Sequence, residues 1–461
     1  MNATAPLRVS RSLRSFNDSV VANDDHASYR LALIAKAEAL LESHSKDHVA
    51  ERRKLADRLE RWRYQRLREL LDEGDRDDPL LDALDDAARR LAGRAAAEPR
   101  RTLAAVRDHS DHLGTNALQT FNLARACEAL DPHYPLAELE ARAAQLTADA
   151  FGVGEKSEES DATARTMRLY APLYLSSHCV NHCTYCGFRF PLDVERRHLS
   201  LDEIERQIDY LQGQGFRHLL VVGGDYPQLT TTGYYCAAIS ALRRRDLQTS
   251  VEIEPQSTAS YQRMVEAGAD GVTLYQETYD AQLYREYHPR GPKADFSWRL
   301  EGLDRAAEAG MRRLGLGVLL GLAPPASDLL ALARHGRYLA ERYAERRLAF
   351  SLPRIHEAPA GFVVRHRISD EFLVRSYCVL RLAFPTAQLV LSTRESASLR
   401  SRLGRICVTQ MSAGSSTTPG GYGNDSLTSV AQFPITDQRS PAEVANALAE
   451  DGFRVLWGLD D

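Results

Sequence analysis

The stretch HLLVVGGDYPQLTTTGYYCAAISALRRRDLQTSVEIEP (218–255) decides the fold class. It opens on a short β-rich run, HLLVVGG (218–224), which ends in two glycines. The amphipathic stretch YCAAISALRRR (235–245) follows, and a second β-rich run, SVEIEP (250–255), closes the segment. A strand, a helix and a strand in that order form a βα unit, and such units stack into parallel sheets. The same alternation extends outward in both directions. Candidate strands are YAPLYLS (170–176), GVTLYQE (271–277), LGLGVLL (314–320), AFSLPR (349–354), QLVLST (388–393) and CVTQMSA (407–413). Candidate helices occupy 201–215, 260–269, 295–310, 328–344 and 370–384. Eight strands over about 240 residues match a closed (β/α)8 barrel of the TIM type. A doubly wound open sheet is the alternative. In both architectures, function belongs at the carboxyl ends of the strands.

N-terminal to this region the texture differs. Residues 1–27 are polar and aperiodic and read as a mobile tail. Residues 28–152 are rich in Ala, Leu, Arg, Glu and Asp. Leu55, Leu59, Trp62, Leu67 and Leu70 recur at helical spacing. This is an all-helical extension preceding a barrel domain at 153–461. The 461 residues carry a formal net charge of −5, which argues against a nucleic-acid coat. No apolar run approaches the roughly 20 residues that span a bilayer, and the first residues lack an apolar signal region. A cytoplasmic protein without membrane or nucleic-acid partners is expected. The sequence holds seven cysteines, an odd number, and three of them fall at 179–186. That usage points to a metal site rather than a disulfide framework. Cys127, Cys236, Cys378 and Cys407 are isolated and read as inert thiols.

The first barrel strand runs into SSHCVNHCTYCGFRF, where Cys179, Cys183 and Cys186 form C-x3-C-x2-C. Thiolates hold iron–sulfur clusters, and three of them leave one iron of a [4Fe–4S] cube open to another ligand. An open coordination position is the mark of a catalytic metal site. A zinc knuckle completed by His178 or His182 uses the same residues.

On these residues the chain resembles the radical S-adenosylmethionine (SAM) superfamily. The resemblance implies a [4Fe–4S] cluster and SAM as cofactors, with a 5′-deoxyadenosyl radical as the reactive species. It places Tyr185 against adenine and Gly223-Gly224-Asp225 at the methionine amino group. It places Arg299 on the SAM carboxylate, which a guanidinium can pair through two parallel N–H groups. Gly-Gly-Asp also fits a βα turn with a capping Asp, and Arg299 also fits a surface helix.

PLYLSSHCVNHCTYCGF, GVTLYQETYD, YHPRGPKADFSWRL, LGLGVLLGL, FSLPRI, LSTRES and MSAGSSTTPGGY narrow the likeness to the aromatic-amino-acid lyase branch. That branch includes the tyrosine lyase of thiamine biosynthesis, a tyrosine-cleaving hydrogenase maturase and tryptophan lyase. No cysteine follows Cys407, so the maturase's second cluster and its CO and cyanide chemistry are not expected. The implied reaction is cleavage of the Cα–Cβ bond of L-tyrosine to dehydroglycine (2-iminoacetate) and p-cresol. Tryptophan or another aromatic amino acid is the alternative substrate. A flavodoxin- or ferredoxin-type electron donor and a downstream acceptor of dehydroglycine are the implied partners.

Positioning an amino acid requires a clamp on its carboxylate. Arg354 in FSLPRI is the first candidate and Arg394 in STRE the second. Ser412 and Ser415 are candidate hydrogen-bond donors to substrate. Gln276 is a candidate SAM-ribose contact, and Glu277 a proton acceptor or charge partner. Tyr275 and Tyr279 are candidate pocket walls, and Gly420-Gly421-Tyr422 is a turn placed to close the barrel mouth. The structural alternatives pair Arg354 with Glu252 or Glu254 and Arg394 with Glu277, and leave the serines to shape a turn.

Overall fold

The computed structural model describes residues 129–130, 133–153, 164–357, 361–424 and 430–459. The expected tail at 1–27, Cys127 and most of the expected helical extension lie outside the described residues. From that extension, the helix Leu136–Phe151 is described.

Strands β1 to β10 run at Gly152–Val153, Ala164–Ser176, His218–Gly223, Gln248–Glu252, Gly271–Thr273, Arg313–Gly317, Arg347–Ser351, Gln388–Leu391, Gln410–Ser412 and Phe453–Leu456. From β2 to β9 each strand pairs parallel with the next, and β9 pairs back onto β2 through Leu169 and Met411. That last pairing closes an eight-stranded parallel barrel and excludes the open sheet. The strand β2 is the longest. Besides β3 and β9 it takes β1 antiparallel and β10 parallel along its first residues.

All eight expected barrel strands form, and the expected helices lie within a few residues of their positions. Segment 295–310 divides into Phe296–Leu300 and Gly302–Glu308 around Glu301. The helices Ala281–Tyr287, Ala397–Ile406 and Pro441–Glu450 were not anticipated. Each follows an oxygen-bearing cap, Asp280, Ser396 or Ser440, whose side chain accepts a hydrogen bond from a first-turn N–H. Caps of this kind stabilise a helix by about 1 kcal/mol.

Strand alternation sorts the side chains. Leu169, Ala171, Leu173 and Leu175 of β2, with Leu219 and Val221 of β3, join the large core beneath the helices. The intervening Tyr170, Tyr174, Leu220 and Val222 form a separate cluster with Phe188 inside the barrel. The period of two therefore decides which residues can reach a site on the barrel axis. Buried arginines fasten the outer layer. Arg381 donates to the carbonyls of Phe384, Pro385, Ala387 and Cys407, and Arg375 to those of Ala129 and Tyr134.

Candidate active site

A cavity of roughly 860 Å³, its open mouth included, lies at the carboxyl ends of the strands. Cys179, Cys183 and Cys186 all line it. Their loop is pinned from several sides. Val180 N donates to Asp225 O, His182 N to Arg290 O and Thr184 N to Tyr287 O. Arg196 donates to the carbonyls of Ser177, Phe188 and Arg189. Gly224 permits close approach of the β3 loop, because a Cβ there would lie 2.3 Å from His178 O.

Burial pushes the Cys179 thiol up to about 12, with Asp225 adding to the effect. Burial also raises Cys183 and Cys186. Thiols in such surroundings ionise when a metal supplies the compensating charge. Two of the sulfurs already have N–H donors aimed at them. Asn181 Nδ2 is 3.8 Å from Cys179 Sγ; Phe188 N and Gln432 Nε2 are 3.4 and 3.9 Å from Cys186 Sγ. Hydrogen bonds to sulfur are one means by which a protein tunes an iron–sulfur cluster. Among the described residues no group of His, Cys, Asp or Glu is arranged to hold a single metal ion. Three thiols on one short loop facing one cavity, two of them with N–H donors at sulfur, are a donor set that fits an iron–sulfur cluster. The zinc alternative has little support from the histidines: His178 packs edge-on against Tyr226, and His182 against Phe190.

Tyr185 faces the same cavity and is fixed from behind. Its hydroxyl lies 2.8 Å from His288 Nε2, while His288 Nδ1 lies 2.7 Å from Tyr284 O. A carbonyl can only accept, so Nδ1 carries the proton and the tyrosine donates to Nε2. Burial and the Lys293 charge hold His288 well below its ordinary pKa, which keeps the ring neutral. Gly223, Gly224 and Asp225 line the wall at the end of β3. Asp225 accepts from Asn181 Nδ2 at 2.9 Å, and Asn181 Oδ1 accepts from Lys293 N at 2.7 Å. One asparagine thus joins the loops after β2, β3 and β5.

Glu252, Glu254, Tyr275, Glu277, Lys293 and Arg299 complete the charged wall. Glu277 accepts from Lys293 Nζ at 2.6 Å and from Arg299 at 3.4 Å. Burial alone would raise its carboxyl, but the two cations outweigh burial and hold it below its usual value. Its backbone takes φ 70°, a left-handed conformation that non-glycine residues rarely adopt. Such strain at a site costs energy that the surrounding structure must offset. Arg299 Nε donates to Tyr275 O at 2.6 Å, so it is a buried cavity residue rather than a surface one.

Several expected positions differ. Gln276 does not line the cavity; its amide points to Phe296 O at 3.5 Å. Hydrogen bonds extend the β5 ladder to Glu277, so Tyr275 and Glu277 face inward and the residue between them faces out. Arg354 also turns away. Its guanidinium grips Glu395 at 2.6–3.0 Å, Asp370 at 2.5 Å and Ile368 O at 2.9 Å. The partner is thus Glu395, not Glu252 or Glu254, and the fork is already filled. Ser412 Oγ accepts from Thr393 N at 3.1 Å, which shapes the end of β8 and does not reach the cavity. Ser415 and Tyr279 are not in the lining either; Tyr279 pairs with His335 Nδ1 at 2.8 Å. Tyr422 donates to Pro172 O at 2.6 Å, stacks on Tyr210 and is not in the lining, to which Gln432 and Phe433 contribute instead.

Arg394 does line the cavity, its guanidinium 3.6 Å from the centre of the Phe433 ring. Among the described residues no carboxylate lies within ion-pair distance of it, Glu277 being taken up by Lys293 and Arg299.

Comparison with known proteins fits this geometry. The radical SAM superfamily model matches residues 173–334, and the Biotin and Thiamin Synthesis associated domain matches 351–454. The 2-iminoacetate synthases of Salmonella typhimurium and Escherichia coli are each 34% identical over 374 residues, covering 81% of this chain and 93% of theirs. The chain belongs to the 2-iminoacetate synthase family of radical SAM enzymes. As a radical SAM lyase it takes a [4Fe–4S] cluster and SAM, together with a small-molecule substrate and a reductant. The family fold extends to the FeFe-hydrogenase maturase HydG of Carboxydothermus hydrogenoformans, 26% identical with a TM-score of 0.66, covering 93% of this chain and 85% of that one. No described helix is long and apolar enough to cross a membrane.

The motif reading gave no role to Asn181, Lys293 or His288, and treated Glu252 and Glu254 only as alternative partners of Arg354. The signal for the two glutamates was present in SVEIEP, where Ser250, Glu252 and Glu254 share one face of a strand.

Proposed function

We propose that this lyase cleaves the Cα–Cβ bond of L-tyrosine to dehydroglycine and p-cresol. The observation that carries the reading is one cavity lined by both the three cysteines and Arg394. The cluster and SAM, when bound, supply a 5′-deoxyadenosyl radical. Cys179, Cys183 and Cys186 would hold the cluster. Tyr185 would lie along adenine, Asp225 would take the methionine ammonium, and Arg299 the methionine carboxylate. Glu277 fixes Arg299 and Lys293 beside them. Arg394 takes the carboxylate of the amino-acid substrate, the role that Arg354's ion pairs deny it. The surrounding rings of Tyr275, Phe188 and Phe433 shield the site from water, which strengthens each charged contact. The electron donor would be of the flavodoxin or ferredoxin type. Dehydroglycine is a reactive imine, so a downstream acceptor would consume it in a thiamine pathway.

The test is anaerobic incubation of reconstituted protein with SAM, a reductant and each aromatic amino acid. Tyrosine should yield 5′-deoxyadenosine and p-cresol together. A product from tryptophan alone would replace the substrate, and 5′-deoxyadenosine without p-cresol from tyrosine would reject it.

A further inference from the structure

Three carboxylates from β4 and β5 line the cavity, and two of them are already engaged. Glu277 is held by Lys293 and Arg299, and Glu254 accepts from Gln256 Nε2 at 2.7 Å and Tyr235 at 3.4 Å. Glu252 accepts no hydrogen bond from a described residue that would fix it in the same way. It points inward because Val251 and Ile253, on the other face of β4, belong to the core beneath the helices. The groups facing it come from every neighbouring element. They are Arg394 beyond β8, Glu277, Arg299 and Lys293 on and after β5, and the phenols of Tyr170, Tyr174 and Tyr275.

We propose that Glu252 receives the ammonium group of the amino-acid substrate and takes one proton from it, while Arg394 holds the carboxylate of the same molecule. This rests on the reading of the chain as an amino-acid lyase. An α-amino acid carries a cation and an anion on adjoining atoms, and Glu252 and Arg394 present the opposite charges within one cavity. The step is balanced. One N–H bond of the ammonium breaks and one O–H bond forms on Glu252. No electron moves, and the summed charge of the two groups stays zero. The neutral amine keeps two N–H bonds, one of which is then available for hydrogen-atom abstraction. Burial pushes the Glu252 carboxyl up to about 7; Arg394 draws it down and Glu277 pushes it up. A proton can therefore rest there near neutral pH. Burial raises the neighbouring phenols, and the cations hold Glu277 low, so neither competes in that range.

The experiment compares binding of L-tyrosine with its des-amino analogue 3-(4-hydroxyphenyl)propanoate to the holoenzyme with SAM. It is run on the wild type, Glu252→Gln and Glu252→Asp. The wild type should favour tyrosine by roughly 10- to 100-fold, the effect of a charged contact. Glu252→Gln should reduce that preference to within about threefold and leave SAM binding intact, and Glu252→Asp should restore part of it. In turnover, kcat/KM of the wild type should rise with pH through about 7, as the acceptor ionises, and Glu252→Gln should lose that limb. An unchanged preference in Glu252→Gln, or a loss of SAM binding in its place, overturns the proposal. Tryptophan and 3-indolepropanoate form a second pair. Discrimination confined to that pair and abolished by Glu252→Gln sinks the tyrosine reading and keeps Glu252. Wild type indifferent to the ammonium in both pairs overturns the assignment of Glu252.

Discussion

Arg354 and Arg394 leave neighbouring strands, and both sit in short motifs that suit a carboxylate clamp. They stand in opposite circumstances. Arg354 is enclosed by Glu395, Asp370 and a backbone carbonyl, whereas Arg394 faces the cavity with an aromatic ring against its plane. A motif identifies the residue type at a strand end. Only the partner decides whether its fork is free, and Glu395 lies 41 residues from Arg354.

The comparison can be broken or sharpened by substitution. The largest effect is expected on the cavity side. Cys183→Ala should abolish the visible absorbance of the reconstituted cluster and all turnover; retained turnover would refute the ligand assignment. Arg394→Ala should lower kcat/KM for the amino acid by roughly a hundredfold or more, the scale of a lost bidentate contact, with little change in Tm. If SAM binding fails first, the residue serves the cofactor instead. Arg354→Ala should reverse that pattern. It strands Glu395 without its cation, and denaturant titration should show a loss of about 3–5 kcal/mol in unfolding free energy. Unaltered stability with raised KM would return Arg354 to the substrate.

A smaller effect concerns acid. Burial alone would raise the Glu395 carboxyl, but the hydrogen bonds and charges of His356 and Arg354 outweigh it and hold it below its ordinary value. A carboxyl depressed in the folded state contributes stability above its unfolded pKa, and that contribution is lost as pH falls through the folded pKa. Stability should therefore decline from about pH 4.5 downward, and the double substitution Arg354→Met with Glu395→Gln should flatten that limb in thermal melts at graded pH. An equally steep decline in the double variant would assign the acid sensitivity elsewhere.

The barrel was legible because its strands announce themselves locally, as β-rich runs between amphipathic stretches. The cysteine loop was legible for the same reason, since all three cysteines fall within eight residues. What escaped depends on alternation or on distance. Gln276 and Glu277 were both assigned to the pocket, yet adjacent residues of a strand face opposite ways, and hydrogen bonds extend the β5 ladder through both. The helix Ala397–Ile406 is rich in arginine and serine, and its buried stripe of Leu399, Arg400 and Leu403 mixes a charged residue into the core face. Arg400 is tolerated there because Asp437, on a distant segment, pairs with it. No local pattern carries that information.

The strand β2 carries the cysteine loop directly at its end, and its first residues pair with Phe453–Leu456. These partners lie almost three hundred residues apart in the chain, so the seam can form only after everything between them has been synthesised. Gln432, whose amide donates toward Cys186 Sγ, is likewise synthesised long after the cysteines, so their loop gains its finished surroundings late. Expression hosts should be judged by how long they keep the nascent chain anaerobic and unaggregated, as well as by how much of it they make.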